Sequence, residues 1–467
     1  MPAIPQPSEY RPDPAILSIA DFLADPVQAA AFPRHILRFR NDRWDGAVGL
    51  ANLSNDQWIA HFGGFEPLPG NLPQPLALRY HGHQFRVYNS EIGDGRGFLF
   101  AQLRDNADRL LDLGTKGSGQ TPYSRFGDGR LTLKGGMREV LATEMLEALG
   151  VETSKSFSLI ETGEALDRND EPSPTRSAVL VRLSHGHIRI GSFQRLAALR
   201  SPDEMKQLVA YALQILYGEP GDGEDAPVRL LRKVVKNSSR LSASYMAAGF
   251  VHGVLNSDNI AITAESFDYG PWRFTPTWEP GFTAAYFDHN GLYAFGRQPQ
   301  AIHWDVVQLA AALRLIVDAE ALVPELEAFP AIFAADLHAA LLARLGVGPL
   351  DEARDQALAE AIMSGLGESD VLIDRFFFDW RGGRLRSPDE EPRYAAPVFA
   401  SFRDKIADYA PVTISQHEYW KMAEPCSMHI EEVEGIWAQI DNNDDWGAFH
   451  EKIAAIRRMG EAMRGAD

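Results

Sequence analysis

His252-Gly253-Val254-Leu255-Asn256-Ser257-Asp258-Asn259-Ile260-Ala261-Ile262, followed six residues later by Asp268-Tyr269-Gly270, is the stretch on which the reading of this chain turns. It places three oxygen-bearing side chains, Asp258, Asn259 and Asp268, within eleven residues. Hard cations take oxygen ligands, and a reaction at phosphorus needs a carboxylate beside the acceptor hydroxyl. The segment supplies both. A plainer reading makes Asn256 to Asn259 a turn and Asp268 to Gly270 a hairpin corner. The segment by itself does not choose between them.

Upstream lies a basic island. Lys116, Arg125, Arg130, Lys134 and Arg138 face a single acid, Asp128, which gives a local net charge of +4 in a chain of −19. Glycines at 114, 117, 119, 127 and 129 let this loop bring backbone N–H groups and cations to a polyphosphate. A solvated surface loop is the competing reading. No Walker A pattern and no GxGxxG occurs, so neither a P-loop enzyme nor a Rossmann dinucleotide site is indicated. Arg182 and Arg189 follow, seven apart; arginine suits bidentate phosphate contacts. The two His-x-His pairs, His81/His83 and His185/His187, have no Cys or carboxylate beside them at metal spacing and read as structural histidines.

The 467 residues carry 45 Lys+Arg against 64 Asp+Glu, and an acidic field of that size repels nucleic-acid phosphates. Nucleic acid is therefore not an expected partner. Hydrophobic residues at 45% suffice for a large core. A single cysteine, Cys426, rules out an internal disulfide and a cysteine zinc site. The first thirteen residues lack the basic start and apolar core of a secretory signal. Residues 306–323 are apolar but interrupted by Gln308, Arg314, Asp318 and Glu320, which predicts a buried or amphipathic helix and no membrane span. The expectation is a cytoplasmic protein, with no membrane partner and a monomer favoured.

The pattern predicts a helix over residues 19–31, then strands from Leu76 to about Leu103 broken at the glycine-rich run 93–97. A helix follows Gly136, with an apolar stripe through Met137, Val140, Leu141, Met145 and Leu149. A hairpin over 157–161 and 178–183 comes next, and an acidic linker at 218–226 leads into helices. A strand-rich half followed by a helical half is α+β, two lobes with a cleft between them. The boundaries are a 1–75 N-terminal extension, a 76–217 N-lobe, a 227–385 C-lobe and a 386–467 helical extension.

His252 and Asn259 keep the seven-residue spacing of a protein-kinase catalytic loop, and Asp268-Tyr269-Gly270 resembles the metal-binding Asp-Phe-Gly. The kinase base position, however, is Val254, and the carboxylate is Asp258. Together with Gly82-His83-Gln84-Phe85, Gly93-Asp94-Gly95-Arg96, the run from Lys116 to Arg125, Gly127-Asp128-Gly129-Arg130, Arg138-Glu139 and His187-Ile188-Arg189-Ile190-Gly191, these residues resemble the selenoprotein O family of kinase-like protein adenylyltransferases.

The resemblance implies a protein-kinase-like two-lobed fold. It also implies transfer of AMP from ATP to Ser, Thr or Tyr hydroxyls of proteins, with the nucleotide flipped relative to kinases. It makes Asp258 the catalytic base and Asn259 and Asp268 the ligands of Mg²⁺ or Mn²⁺, and admits UTP as another donor. Lys116 becomes the phosphate grip, paired with the helix glutamate Glu139. Gly93, Gly95, Arg96, Asp128, Gly129, Arg182 and Arg189, with Asp268, become ATP contacts. On a helical wheel Glu139 lies opposite the apolar stripe and Glu144 on it, so the resemblance and the wheel point to different glutamates. Replacing Lys116 is expected to weaken nucleotide binding and leave stability nearly unchanged. Arg86 and the run Tyr88 to Glu91 depart from the small residues expected after Gln84-Phe85, and the chain beyond Phe378 shows little signature. Two other classes fit the same residues: a phosphotransferase acting on the γ-phosphate, and an inert nucleotide-binding scaffold.

Overall fold

The computed structural model describes residues 6–169, 171–413 and 416–465, so the first five residues of the N-terminal stretch read above lie outside it. Strands β1 (Ala24–Pro26), β2 (Ile36–Arg40), β3 (Leu76–Leu78), β4 (Gly82–Gln84), β5 (Val87–Asn89), β6 (Leu99–Arg104), β7 (Leu110–Lys116), β8 (Leu131–Thr132), β9 (Lys155–Leu166) and β10 (Thr175–Ser184) fill the first half. The main antiparallel sheet runs β1-β3-β6-β7-β10-β9-β2 with β8 beside β10, while β4 and β5 form a separate small hairpin.

Strand β10 shows why the sheet forms. Val179, Val181 and Leu183 enter a cluster with Trp58, Phe62, Phe100 and Phe157, and Ala178 and Leu180 enter one with Met137, Val140 and Leu141. That is the two-residue period of a strand covered on both faces. Such a strand reads as one apolar run, and from Ala178 to Leu183 only Arg182 interrupts it. Each fully buried Phe or Leu contributes about 1.5–3 kcal/mol relative to exposure.

The helix Leu133–Ala148 covers one face of the sheet and starts on a Thr132 cap, whose side chain accepts from Gly135 N. Thirteen of its sixteen residues are buried, so it has no solvent face. Its outer side is closed by the C-terminal helices. Glu434, on Ile430–Asn443, takes Lys134 at 2.7 Å and Arg138 at 3.4 Å. Arg457, on Gly447–Arg464, takes Glu144 at 2.8 Å.

In the second half the helix Ala226–Ala248 is the hub, burying Leu230, Leu231, Val234, Val235 and Tyr245. It ends on Gly249 in the left-handed region (φ 66), which turns the chain into β11 (Phe250–Val251), paired with β12 (Arg273–Phe274). The segment His252 to Gly270 is the connection between these two strands.

The structure corrects two local expectations. The helix read over 19–31 is a single turn, Ala20–Leu23, because Ala24–Pro26 leaves to pair with Leu76–Leu78. The stretch 306–323 is not one helix, since Gln298–Leu313 ends before a new helix starts at Ala319. The helical stretch Ala319–Leu345 is the one among the described residues long and apolar enough, by length and composition, to cross a membrane.

Candidate active site

A cavity of about 920 Å³ opens where the C-terminal end of β7, the glycine loops and the His252-to-Gly270 segment meet. Lys116, the last residue of β7, is 3% exposed. Its Nζ lies 2.6 Å from Glu139 Oε2 and 2.9 Å from Asp268 Oδ1. Arg182, the polar break in β10, reaches Asp268 Oδ1 at 3.3 Å and Glu139 Oε1 at 3.6 Å. Arg189 stands 3.9 Å from Asp268 Oδ2 and 3.2 Å from Asp94 Oδ1, and donates to the Asp258 carbonyl at 3.0 Å.

Three cations thus converge on one carboxylate. Burial alone would raise the Asp268 carboxyl, but Lys116, Arg182, Arg189 and Arg96 outweigh it and hold it well below the usual carboxylate range. Asp268 also sits at φ 63, a backbone region that non-glycine residues rarely adopt and that gathers at functional sites.

Asp258 lies in different surroundings. It occupies a single 3₁₀ turn, Ser257–Asn259, and is 7% exposed. Its Oδ1 is buried and accepts no hydrogen bond among the described residues. Burial pushes its carboxyl up to about 6, against the pull of Arg189. The residues around it are committed to holding the turn. Asn256 Oδ1 accepts from Phe85 N (3.0 Å) and from the Tyr293 hydroxyl (2.7 Å). Ser257 Oγ accepts from His83 N and donates to Gln194 Oε1, both at 2.7 Å. Asn259 Nδ2 donates to Val254 O at 2.9 Å, a bond that leaves its Oδ1 uncommitted. His252, fully buried, joins this loop to the Phe267 carbonyl at 2.9 Å.

The glycine loops form the opposite wall. Gly93, Gly95 and Arg96 line the cavity together with Asp128 and Gly129. A Cβ at Gly93 would run into the Tyr123 ring, and Gly129 takes φ 71 against the Gly119 backbone; neither position admits a side chain. Arg125, Arg130 and Arg168 add to Arg96, Lys116, Arg182 and Arg189, giving seven cations against five carboxylates. In a chain of −19 this is a positive cavity. The side-chain oxygens of Asp258, Asn259 and Asp268 are hard donors suited to a divalent cation.

Eleven of the twelve site residues read from the sequence therefore line one cavity, and the twelfth, Glu139, lies directly behind Lys116. The disagreement over the helix glutamate is resolved. Glu144 points to Arg457 and Arg43, and Glu139 to Lys116. The wheel misled because it assumes one wet face, and this helix has none. Two acids escaped the sequence reading. Asp94 takes Leu78 N at 3.0 Å as well as Arg189. Asp305 is buried with neither carboxylate oxygen hydrogen-bonded among the described residues, and burial, with Asp258 nearby, pushes its carboxyl well above the usual range. A lone acid in the apolar run Ile302 to Val306 was the available signal.

The family model described as "Protein adenylyltransferase SelO" matches residues 8–457. A "Protein nucleotidyltransferase YdiU" of Gloeobacter violaceus is 43% identical over 464 residues, covering 96% of this chain and 95% of the relative. Another of that name, from Synechocystis sp., is 47% identical over 468 residues, with 95% and 97% covered. Among solved structures, a Toxoplasma gondii rhoptry antigen kinase domain aligns at TM-score 0.27 and 11% identity, over 62% of this chain and 83% of its own.

Proposed function

The chain belongs to the protein adenylyltransferase SelO family, and from that premise we propose how its own residues move AMP from ATP to the Ser, Thr or Tyr hydroxyls of proteins. The reaction is nucleotidyl transfer to protein. What carries the proposal is the contrast between Asp268, saturated with cations, and Asp258, buried with a free oxygen.

Lys116, braced by Glu139, grips phosphate with Arg182 and Arg189. Gly93, Gly95, Arg96, Asp128 and Gly129 contact the rest of the nucleotide. Asn259 and Asp268 would hold Mg²⁺, with Mn²⁺ as a substitute; when bound, the ion neutralises charge on the phosphate oxygens. The cations that surround Asp268 are the groups that incoming phosphates draw away. Asp258 accepts the proton of the acceptor hydroxyl. The hydroxyl oxygen bonds to the α-phosphorus, the bond from that phosphorus to the bridging oxygen breaks, and pyrophosphate leaves. Val254, at the kinase base position, cannot accept a proton, which favours this assignment over γ-phosphoryl transfer. The reading places the enzyme in the cytoplasm as a monomer, where ATP and protein acceptors meet.

Intact-mass analysis after incubation with Mg-ATP and a protein acceptor tests it. An AMP adduct on the acceptor, absent with Asp258→Ala, is expected. A phosphate adduct, or no adduct, would overturn it.

A further inference from the structure

The lip of the cavity carries apolar surface that nucleotide chemistry does not use. Phe85 and Val87 on the β4–β5 hairpin, and Tyr286 and Phe287 on the loop after Pro280, are exposed, Val87 and Tyr286 by 70% and 79%. Scattered exposed apolar residues need no explanation, but contiguous ones do. These are joined ring to ring. Phe85 stands 5.8 Å from Phe287 and 5.1 Å from Tyr293, and Phe287 stands 5.1 Å from Tyr286. Val87 sits on the return strand opposite Gln84.

This ledge is built onto the turn that carries Asp258. Phe85 N and the Tyr293 hydroxyl both donate to Asn256 Oδ1, and His83 N donates to Ser257 Oγ. Gly82 packs so closely that a Cβ there would lie 2.9 Å from the Asp258 side chain. Tyr286 lines the main cavity and also a neighbouring one of about 480 Å³ that contains Thr283, Asp288 and His289. Exposed rings therefore run from beside Asp258 to a second, polar hollow.

We propose that this ledge docks the acceptor polypeptide. An extended segment lays apolar side chains flanking its hydroxyl residue on Phe85, Val87 and Phe287, and its neighbouring residues pass Tyr286 into the second hollow. The proposal rests on Asp258 being the base. The occupant follows from continuity, since the enzyme acts on proteins and the acceptor hydroxyl must reach Asp258, where the ledge begins. Aromatic rings also give large contact area at little cost in side-chain entropy, which suits varied acceptor sequences.

Two synthetic peptide pools of equal net charge test the proposal. Each peptide carries one Ser, Thr or Tyr, flanked by Leu, Val and Phe in one pool and by Asn, Gln and Gly in the other; AMP is counted by mass spectrometry. The wild-type enzyme is expected to label the apolar pool about tenfold faster, the effect of burying one or two flanking side chains. The double substitution Val87→Ser/Phe287→Ser is expected to reduce that preference to about twofold or less, with the KM for ATP unchanged because neither residue lines the nucleotide cavity. Equal labelling of the pools by wild type, or a preference that survives the double substitution, would overturn the ledge. A wild-type rate from Asp258→Asn would instead remove the base assignment, and the ledge's premise with it.

Discussion

Two halves of one cavity treat the same chemical group in opposite ways. Around Asp268, Lys116, Arg182 and Arg189 crowd a carboxylate and keep it charged. Around Asp258, and around Asp305, which does not line the cavity, burial dominates, and both carboxyls are pushed toward their neutral forms. Groups whose surroundings drive them apart divide the labour of an active site. The charged half is suited to phosphate and metal; the poorly solvated half is suited to taking a proton.

The sharpest way to break this contrast is to empty the charged half. Asp268→Ala removes a metal ligand and leaves three buried cations around a void, so AMP transfer is expected to vanish into background. Near-normal transfer would sink the division. Asp258→Asn attacks the other half while keeping shape. A positioned base is worth ~10²–10⁴-fold, so transfer falls by that factor while Mg-ATP binding, followed by calorimetry, persists.

Lys116→Ala sharpens the comparison through stability. The sequence alone suggests a surface-like phosphate grip whose loss the fold would not notice, but Lys116 is buried against a fully buried Glu139. Breaking a buried pair at one end costs about 3–5 kcal/mol, of which the longer contact from Arg182, 3.6 Å from Glu139, offsets only part. Denaturant unfolding should show a loss of that order, largely recovered by adding Glu139→Gln. Failure of the second change to recover stability would place the cost elsewhere.

Asp305 yields the smallest effect. Its carboxyl titrates higher in the folded chain than in the unfolded one, so above a pH of about 3.9 the folded state binds more protons. Stability therefore falls as pH rises through that window. Asp305→Asn removes the slope. Its melting temperature should exceed the wild type's at pH 8 and match it at pH 4; the reverse order would contradict the neutral-acid reading.

Much of the charged half was legible from residue types and spacing. Lys116, Arg182, Arg189 and Asp268 stand out as polar residues in or beside apolar strands, and polar residues at such positions carry a desolvation cost that function repays. The wheel chose the wrong glutamate because the contacts that decide it, Glu144 with Arg457 and Lys134 with Glu434, span about 300 residues and follow no local period. For the same reason the C-terminal helices gave no sign that they wall in the Glu139 helix. The short strand Ala24–Pro26 read as helix because its partner, Leu76–Leu78, lies far along the chain. The ledge could be noticed only as a departure, Arg86 and the residues from Tyr88, and its continuity with Asp258 is a matter of three dimensions.

The account's central claim is that the poorly solvated half, and not the vacant kinase position, takes the acceptor's proton while the α-phosphate is attacked. Incubating wild type, Asp258→Asn and Val254→Asp with a protein acceptor and ATP labelled at either the α- or the γ-phosphate tests this directly. The account predicts α-label on acceptor protein from wild type, its loss with Asp258→Asn, and no γ-label from Val254→Asp. γ-Label on protein, or undiminished α-label from Asp258→Asn, would contradict it.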